Sequence, residues 1–258
     1  MSTLHMRHMG QGFPVVLLHG FCETHMIWSD MAVALSADYS VWMPDLPGFG
    51  ESKNLPDGFS IEDVAEKVYA DLKEKGLEEF AVIGHSLGGY VALAMAAKHP
   101  EAIRLLGLFN STAYADTEEK RHTRNKTIEF VQNRGVQRFI DTFVPNLFYG
   151  PRREELADAI EEINLIARRT SKDSLVNYTK AMRDRPERLD LLENFDKPVL
   201  FIAGEEDSFT TQEDIHRQAQ LLLKPYVQVL PQTAHMAMYE RFTETSEFIK
   251  GALMEVVG

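Results

Sequence analysis

The chain of 258 residues has a single cysteine and lacks any long run of apolar residues. One cysteine, Cys22, excludes an intramolecular disulfide and a cysteine-rich metal site, and its expected role is to fill a small space in the core. The start of the chain lacks the continuous apolar segment of a secretory signal, and no later run approaches the ~18 apolar residues of a membrane span. These absences predict a cytoplasmic protein without a membrane span.

Positive charge is also in short supply, because 27 Lys and Arg face 39 Asp and Glu, a net charge of −12. Nucleic-acid binding rests on clustered basic residues that neutralise phosphates, so the composition argues against a nucleic-acid partner. The charge is uneven: residues 113–195 hold 11 Arg and 4 Lys against 15 Asp and Glu and are neutral. The rest of the chain carries the whole net charge, and this contrast marks a compositional boundary.

Short apolar runs alternate with helical patterns in the first part of the chain. The predicted strands are PVVLLHG (14–20), YSVWMPD (39–45), FAVIG (80–84) and IRLLGLFN (103–110). Such uninterrupted runs are typical of strands buried on both faces, and hence of a parallel sheet. The predicted helices cover residues 25–36, 60–76 and 87–98. Ser60 followed by Asp63 predicts a capping box at the second helix, and Gly76 predicts its end.

Between residues 113 and 195 the pattern changes to helices without a convincing strand. These helices are expected to break at Pro145, Pro151 and Pro186. We therefore predict an α/β fold with a mostly parallel central sheet flanked by helices and an all-helical insertion. The core of the fold is predicted to be residues 1–112 and 196–258, and the insertion is predicted to be residues 113–195.

The two ends of the chain complete the predicted sheet. Strands return at residues 197–207 and 226–235, and a C-terminal helix is expected from about residue 242. Near the start, TLHMRHMGQG alternates polar and apolar residues as an outer hairpin strand does, with Gly10 and Gly12 at the turn.

Residues 84–88 read G-H-S-L-G and match the pattern G-x-S-x-G. The pattern alone is weak, because Gly-rich turns commonly join strands to helices and a serine there can simply cap the helix. Here it stands between a predicted strand and a predicted helix, where a strained turn exposes the serine hydroxyl. The backbone N–H of Leu87, at the helix start, then points toward an oxyanion formed when Ser86 attacks a carbonyl.

A serine hydroxyl needs an imidazole base to attack at neutral pH. Of the nine histidines, His235 directly follows the last predicted strand, where a loop can bring it over the edge of the sheet. His85 adjoins the serine but is expected to point elsewhere, and His19 is expected to order its own loop. His235 is the predicted base, and the histidines predicted to be surface or packing residues are His5, His8, His99, His122 and His216.

The third group must hold the imidazole in one tautomer, which calls for a carboxylate at the end of a neighbouring strand. Asp207 lies there, at the carboxyl end of the penultimate predicted strand. Glu205 and Glu206 compete with it but are interpreted as exposed loop acids, and Asn110, at the end of another strand, cannot ionise. The chain order serine, aspartate, histidine is the one expected on an α/β-hydrolase sheet.

Five segments resemble the α/β-hydrolase superfamily in its compact, lidded serine-hydrolase type. They are LLHGF (17–21), DLPGFGES (45–52), GHSLGG (84–89), GEED (204–207) and AHMAMYE (234–240), in the family's order and across nearly the whole chain. The resemblance implies that the insertion is a helical lid and that the backbone N–H of Phe21 is the second oxyanion donor. It also implies that Asp45, Gly48 and Glu240 shape loops, and that no metal or organic cofactor takes part.

Together these observations predict a hydrolase that acts on a small molecule. It cleaves a carboxylic ester, or a related acyl substrate, through an acyl-enzyme on Ser86. Carbon–carbon bond hydrolysis, thioester cleavage and perhydrolysis use the same three residues and stay open, as does a ligand receptor of this fold. Tyr90 stands where relatives that act on succinyl-type dienes typically carry arginine, which argues against that activity. A serine nucleophile argues against dehalogenase and epoxide hydrolase chemistry.

Eleven of the 15 arginines lie in the insertion. On one interpretation the lid steers an anionic substrate or an acidic carrier protein. On the other, its arginines form a solvated surface with intrahelical ion pairs. The arginines considered for steering are Arg121, Arg124, Arg134, Arg138, Arg152 and Arg153. Five large apolar residues of the lid can face either the active site or the lid's own core, and the core is the default expectation. They are Phe139, Phe143, Leu147, Phe148 and Met182.

Overall fold

The computed structural model describes residues 3–257, so residues 1, 2 and 258 of the predicted core lie outside it. One sheet is built from the strands β1 (Met6–Met9), β2 (Phe13–Leu18), β3 (Tyr39–Pro44), β4 (Phe80–His85), β5 (Ile103–Phe109), β6 (Val199–Gly204) and β7 (Pro225–Leu230). Their order across the sheet is β1-β3-β2-β4-β5-β6-β7. All neighbouring pairs from β3 to β7 are parallel, which confirms the mostly parallel sheet predicted from the buried runs.

The first strand does not form the predicted hairpin. Gly10 and Gly12 do make the turn after β1, with φ angles of 76° and 109°. However, β1 pairs antiparallel with β3, where Met6 lies opposite Pro44, and not with β2, which follows it in the chain. The hairpin prediction was therefore wrong in its partner, because alternation along one strand carries no information about which neighbour it joins.

Helices flank this sheet and connect its strands. They are α1 (Ser29–Leu35), α2 (Ile61–Glu74), α3 (Leu87–Lys98), α4 (Glu118–Arg134), α5 (Val136–Phe143), α6 (Ala157–Ala167), α7 (Lys172–Asp184), α8 (Leu189–Asn194), α9 (Gln212–Leu221), α10 (Ala237–Glu240) and α11 (Phe242–Val257). Helix α3 packs on β2, β4, β5 and α2, and it is buried along nearly its whole length. This position explains why its sequence is apolar on all sides. Within residues 3–257, no helix is both long and apolar enough to cross a membrane.

Helix α9, between β6 and β7, is absent from the sequence prediction. Most of its side chains are polar and face solvent, and only Ile215 and Gln218 are buried. Its apolar residues nonetheless recur at helical spacing, and Thr211 caps its first turn by accepting a hydrogen bond from the backbone N–H of Asp214 at 3.1 Å.

Five helices, α4 to α8, lie between β5 and β6 and are called here the inserted helices. Helix α4 packs against α7 and α5, and α5 packs against α6. The expected breaks occur at the prolines: Pro145 and Pro151 lie in short 3-10 helices, and Pro186 follows the end of α7.

The start of α2 is the predicted capping box. The backbone N–H of Asp63 donates to Ser60 Oγ at 3.1 Å, and the backbone N–H of Ser60 donates to Asp63 Oδ2 at 2.8 Å. The helix ends at Glu74, and Gly76 follows with a φ of 83° that favours glycine. Local sequence thus determines both ends of this helix.

We expect Ser60→Ala to lower the free energy of unfolding by about 1 kcal/mol, because it leaves the N–H of Asp63 without its side-chain partner. Urea denaturation measures the change. Ser36→Ala is the matched control, since the Ser36 hydroxyl only donates to the Val33 carbonyl at 3.1 Å, and its effect should stay within about 0.5 kcal/mol. Equal losses in the two variants would contradict the capping contribution.

Candidate active site

The turn between β4 and α3 places Ser86 in a strained backbone conformation, with φ 49° and ψ −113°. A residue with a side chain rarely adopts a positive φ, and such strain persists only where surrounding contacts enforce it. Here the N–H of Ser86 donates to the Phe109 carbonyl at 3.0 Å, and the Ser111 hydroxyl donates to the Ser86 carbonyl at 2.8 Å. These bonds tie the turn to β5 and to the residues that follow β5.

Two glycines give this turn the space it needs. A Cβ atom on Gly84 would lie 2.2 Å from the backbone of Gly88, and a Cβ on Gly88 would lie 2.4 Å from the Leu18 carbonyl oxygen. Any larger residue at either position would push α3 away from β4 or β2. The two glycines of the G-x-S-x-G pattern are therefore required by the close approach of strand and helix.

Asp207 and His235 come together after β6 and β7. His235 Nδ1 lies 2.8 Å from Asp207 Oδ2, and both side chains are buried. Asp207 also accepts hydrogen bonds from the Phe209 backbone N–H at 2.8 Å and from Asn110 Nδ2 at 3.0 Å. Burial alone raises the pKa of Asp207, but the His235 imidazole and these hydrogen bonds outweigh it and hold the pKa below its usual value. The carboxylate is thus kept charged beside the imidazole.

Hydrogen bonds from His235 and from its neighbours in the chain hold the loop that carries His235. The backbone N–H of His235 donates to the Leu147 carbonyl at 2.9 Å. The buried carboxylate of Glu240 accepts hydrogen bonds from the backbone N–H groups of Ala234 at 3.0 Å and Tyr149 at 3.1 Å. This loop is therefore joined to the inserted helices, which agrees with the loop-shaping role that the resemblance implies for Glu240.

Ser86 and His235 line one cavity of about 460 Å³. No hydrogen bond joins Ser86 Oγ to His235 among the residues that the structure describes. Such contacts are often long without substrate and tighten when it binds. Leu87 is the first residue of α3, where helix N–H groups lack partners within the helix, and the Phe21 side chain lines the same cavity. All five predicted site residues therefore lie at or directly beside this cavity.

A buried ion pair next to Ser86 was missed by the sequence analysis. His85 Nδ1 lies 3.0 Å from Glu23 Oε2, and His85 Nε2 lies 2.9 Å from the His235 carbonyl oxygen. Glu23 Oε2 also accepts the backbone N–H of Gly20 at 2.6 Å. His85 does point away from the cavity, as predicted, but it connects the loop after β2 with the loop of His235.

The charges of this pair follow from its contacts. Burial alone lowers the pKa of His85, but the Glu23 carboxylate and the two hydrogen bonds outweigh it and raise the pKa above 6.5, the ordinary value. Burial alone raises the pKa of Glu23, and the interaction with His85 reverses this and lowers it. Both nitrogens of His85 face acceptors, which only the doubly protonated imidazolium can satisfy.

Three of the large apolar residues assigned by default to the lid core instead line the cavity. They are Phe139, Phe143 and Met182. Leu147 and Phe148 are buried away from it, as expected. The rings of Phe139 and Phe143 lie 6.4 and 6.0 Å from the ring of Phe21, in edge-to-face contact. Aromatic side chains from the loop after β2 and from α5 thus form one wall of the cavity.

The cavity has a polar wall as well. Its polar side chains beside the active-site pair are Asp116, Thr117, Glu119, Lys120, Thr123, Arg124, Thr127, Thr179, Arg185 and Ser208. Of the arginines considered for steering, only Arg124 is in this set. Arg134 and Arg138 are exposed and do not line the cavity, so any steering by them would act at a distance and stays a prediction.

His5, His25 and Asp45 offer potential metal ligand atoms within 4.8 Å of one another. The two histidine Nδ1 atoms lie 3.0 and 2.8 Å from the Asp45 carboxylate, which also accepts the backbone N–H groups of His25 and Glu51. These bonds order the loops around Asp45, the role that the resemblance implies. None of the three lines the cavity of Ser86, so we assign them to loop structure.

Comparison with known proteins supports this description. A family model described as the alpha/beta hydrolase fold matches residues 14–242. A thermophilic esterase from Thermogutta terrifontis, solved with malate bound, has a TM-score of 0.94 and 26% identity, over 99% of this chain and 94% of that one. Lipase 1 of Psychrobacter immobilis is 24% identical over 246 residues, which are 93% of this chain and 76% of the lipase.

A pimeloyl-[acyl-carrier protein] methyl ester esterase from Aeromonas hydrophila is 37% identical over 105 residues, which are 40% of each chain. The family model covers most of the chain. The chain therefore belongs to the α/β-hydrolase fold family, and it is a hydrolase with esterase-like relatives.

Proposed function

We propose that this protein is a serine hydrolase that cleaves a carboxylic ester, with Ser86 as nucleophile, His235 as base and Asp207 as the group that orients His235. The observation that carries the proposal is the Asp207–His235 hydrogen bond of 2.8 Å, made beside a cavity that the strained Ser86 also lines. The chemistry follows, because a buried carboxylate fixes one imidazole tautomer and stabilises the imidazolium that forms.

In the proposed reaction Ser86 Oγ attacks the ester carbonyl while His235 Nε2 takes the hydroxyl proton. The backbone N–H groups of Leu87 and Phe21 stabilise the oxyanion, each donor contributing roughly 3 kcal/mol. His235 then protonates the leaving alcohol, which departs and leaves an acyl-enzyme. Water, activated by the same imidazole, releases the acid and restores Ser86.

The inserted helices act as a lid in this proposal. Its support is that α4, α5 and α7 supply cavity-lining side chains, among them Thr123, Phe139 and Met182. A lid of this kind limits access of water and encloses the substrate. The cavity volume suits a small acyl compound, whether free or presented by a carrier, and the cytoplasm stays the predicted place of action.

An alkyl fluorophosphonate is the direct test of the nucleophile. We expect Ser86 Oγ to displace fluoride from phosphorus, so that the peptide containing Ser86 gains the mass of the reagent less HF. One equivalent should bind and abolish repeated turnover of p-nitrophenyl butyrate in proportion. Heat-denatured protein is the control and should remain unlabelled, because activation of the hydroxyl depends on the folded site. Labelling at another residue, or full turnover with Ser86 modified, would refute the assignment.

A ligand receptor of the same fold gives a different result. It would show a ligand-dependent rise in melting temperature but no repeated turnover of short esters. Multiple turnovers per protein molecule therefore support the enzyme over the receptor.

A further inference from the structure

One face of α4 turns polar side chains into the cavity. Thr117, at its N-cap, is followed at intervals of three to four residues by Lys120, Thr123 or Arg124, and Thr127, all of which line the cavity. This spacing is that of a single helix face. The hydroxyls of Thr123 and Thr127 donate to backbone carbonyls of α4, but a purely apolar acyl chain would remove water from the charged groups on this face, which costs free energy. The wall is thus better suited to a substrate that carries a polar or charged group.

The charges on this wall leave a surplus cation. Asp116 is buried, and its Oδ1 accepts Arg185 Nη1 at 2.6 Å while its Oδ2 accepts Arg124 Nε at 3.0 Å. Two guanidinium groups therefore share one carboxylate. Lys120 adds a third positive charge to the wall, and Glu119, the other carboxylate on it, is exposed to solvent. Cations outnumber carboxylates along the cavity lining.

The two arginines differ in what their contacts leave available. Arg185 also donates to the carbonyls of Met182 and Tyr114 and lies 3.9 Å from the centre of the Tyr90 ring, so its contacts fix it in place. Arg124 is bonded through Nε alone among the contacts of residues 3–257, which leaves its two terminal nitrogens for another acceptor. Terminal guanidinium nitrogens suit a carboxylate geometrically.

Phe209 contacts both Lys120 and His235, and all three line the cavity. Its Nζ donates to the Phe209 carbonyl at 3.1 Å, and the Phe209 ring lies 4.6 Å from the ring of His235. One bond of this kind uses a single N–H of the ammonium, which has three. A carboxylate on a substrate held at Ser86 would therefore meet both a guanidinium and an ammonium on α4.

We propose that the ester substrate carries a free carboxylate on its acyl part, bound by Arg124 and Lys120, so that monoesters of dicarboxylic acids are the preferred class. This inference rests on the proposed ester hydrolysis at Ser86 and specifies its substrate. Hydrolysis of such a monoester breaks the bond between the carbonyl carbon and the alcohol oxygen, consumes one water, and yields the dicarboxylate, the alcohol and one proton.

The test compares two esters of the same length in a pH-stat, which titrates the released proton. Monomethyl adipate carries the carboxylate, and methyl hexanoate replaces it with a methyl group. We expect kcat/KM to be at least about tenfold higher for monomethyl adipate than for methyl hexanoate, because charge-assisted hydrogen bonds are stronger than neutral ones. Raising the ionic strength should reduce this ratio. Monomethyl succinate and glutarate then locate the best spacing between carboxylate and ester.

Arg124→Gln and Lys120→Gln should each lower the ratio of the two kcat/KM values by about tenfold. Arg134→Gln removes the same charge from the same helix outside the cavity, and it should leave the ratio unchanged. Arg124→Gln removes a partner of Asp116, and this variant can fail to fold for that reason. In that case the ratio measured for Lys120→Gln decides whether the carboxylate site exists.

The outcomes separate the inference from the proposed function. A wild-type ratio near one, or a ratio that the cavity variants and Arg134→Gln change alike, would overturn the carboxylate site while ester hydrolysis at Ser86 stands. Failure to turn over either methyl ester or p-nitrophenyl butyrate would overturn the proposed function and this inference with it.

Discussion

Ser86→Ala is expected to reduce kcat for p-nitrophenyl butyrate by about 10⁴- to 10⁶-fold, as loss of the nucleophile does in other serine hydrolases. The oxyanion donors and the cavity remain in the variant, so a small residual rate over water is also expected. We attribute the loss to chemistry and not to a change in structure. Within the described part of the chain, the turn is held by backbone bonds at Ser86, and the Ser86 hydroxyl makes no hydrogen bond. Initial rates under substrate saturation measure the loss.

The fold of the variant should be retained. The turn is fixed by backbone bonds at Ser86 and by the clearance at Gly84 and Gly88, which alanine at position 86 leaves in place. Ser60→Ala serves as the control, since it removes a serine hydroxyl far from the cavity at a modest cost in stability. A rate for Ser86→Ala within tenfold of the wild type would exclude the proposed mechanism.

The sequence predicted the parallel core because burial dominates its pattern. The runs that became β2, β4 and β6 are apolar without interruption, and these strands lie in the interior of the sheet. The partner of β1 could not be predicted, because β3 lies between β1 and β2 in the sheet and alternation along β1 does not encode this order. Helix α9 was missed although Ile215, Ala219 and Leu222 recur at helical spacing, since polar residues occupy most of its other positions.

The site was predictable where it depends on local pattern and chain order. Ser86, Asp207 and His235 each follow a strand, and the carboxyl ends of parallel strands meet at one edge of the sheet. The structure places Asp207 against His235 and both Ser86 and His235 on one cavity, and their catalytic roles stay predictions.

The side chains of the inserted helices were harder to place. Phe139 and Phe143 on α5 face the cavity while Ile140 on the same helix is buried in the core. Both environments are apolar, so helical periodicity cannot distinguish them. Arg124 and Arg134 lie on one helix, and only Arg124 lines the cavity, which the sequence pattern does not reveal.

The Glu23–His85 pair joins residues 62 positions apart and has no linear motif. One signal was present: β2 and β4 are neighbours in the sheet, with Leu18 opposite Gly84, and a carboxylate follows one strand while an imidazole ends the other. Only the strand order, known from the structure, brings these two ends together.

Glu23→Gln is expected to lower the free energy of unfolding by about 3 kcal/mol, as breaking a buried ion pair does. The amide oxygen of glutamine can still accept the Gly20 N–H, but it no longer supplies the charge that keeps His85 doubly protonated. One nitrogen of a neutral His85 would then face an acceptor, either residue 23 or the His235 carbonyl, without a proton between them.

Activity should fall with stability in this variant. His85 supports the His235 carbonyl, and Glu23 supports Gly20, which precedes the predicted oxyanion donor Phe21. A displacement of either loop misaligns groups that act in the transition state, so we expect kcat to fall about tenfold or more with a smaller change in KM. A purely structural role for Glu23 would lower stability and leave kcat of the folded fraction unchanged.

Glu66→Gln is the matched control for this substitution. Glu66 Oε1 lies 2.8 Å from His99 Nε2, a carboxylate–imidazole pair at a similar distance, and Glu66 Oε2 lies 3.0 Å from Lys98 Nζ. The Glu66 side chain is 37% exposed and does not line the cavity. Exposed pairs contribute little, so its loss should stay below about 1 kcal/mol and kcat should not change. Similar losses in the two variants would contradict the special contribution of the buried pair.

The pH dependence of stability gives the sharpest readout of the pair. Because the pKa of His85 is raised in the folded protein, its contribution to stability is complete below its ordinary value of 6.5 and is lost as the pH rises through the raised pKa. The lowered pKa of Glu23 adds stability that is present above its ordinary value of 4.5 and is lost on acidification.

The wild type should therefore lose stability more steeply than Glu23→Gln as the pH rises above 6.5. The difference between their free energies of unfolding, the stability gap, should then narrow. Urea denaturation across this pH range measures the gap, and parallel curves for the two proteins would show that His85 does not carry the charge assigned to it.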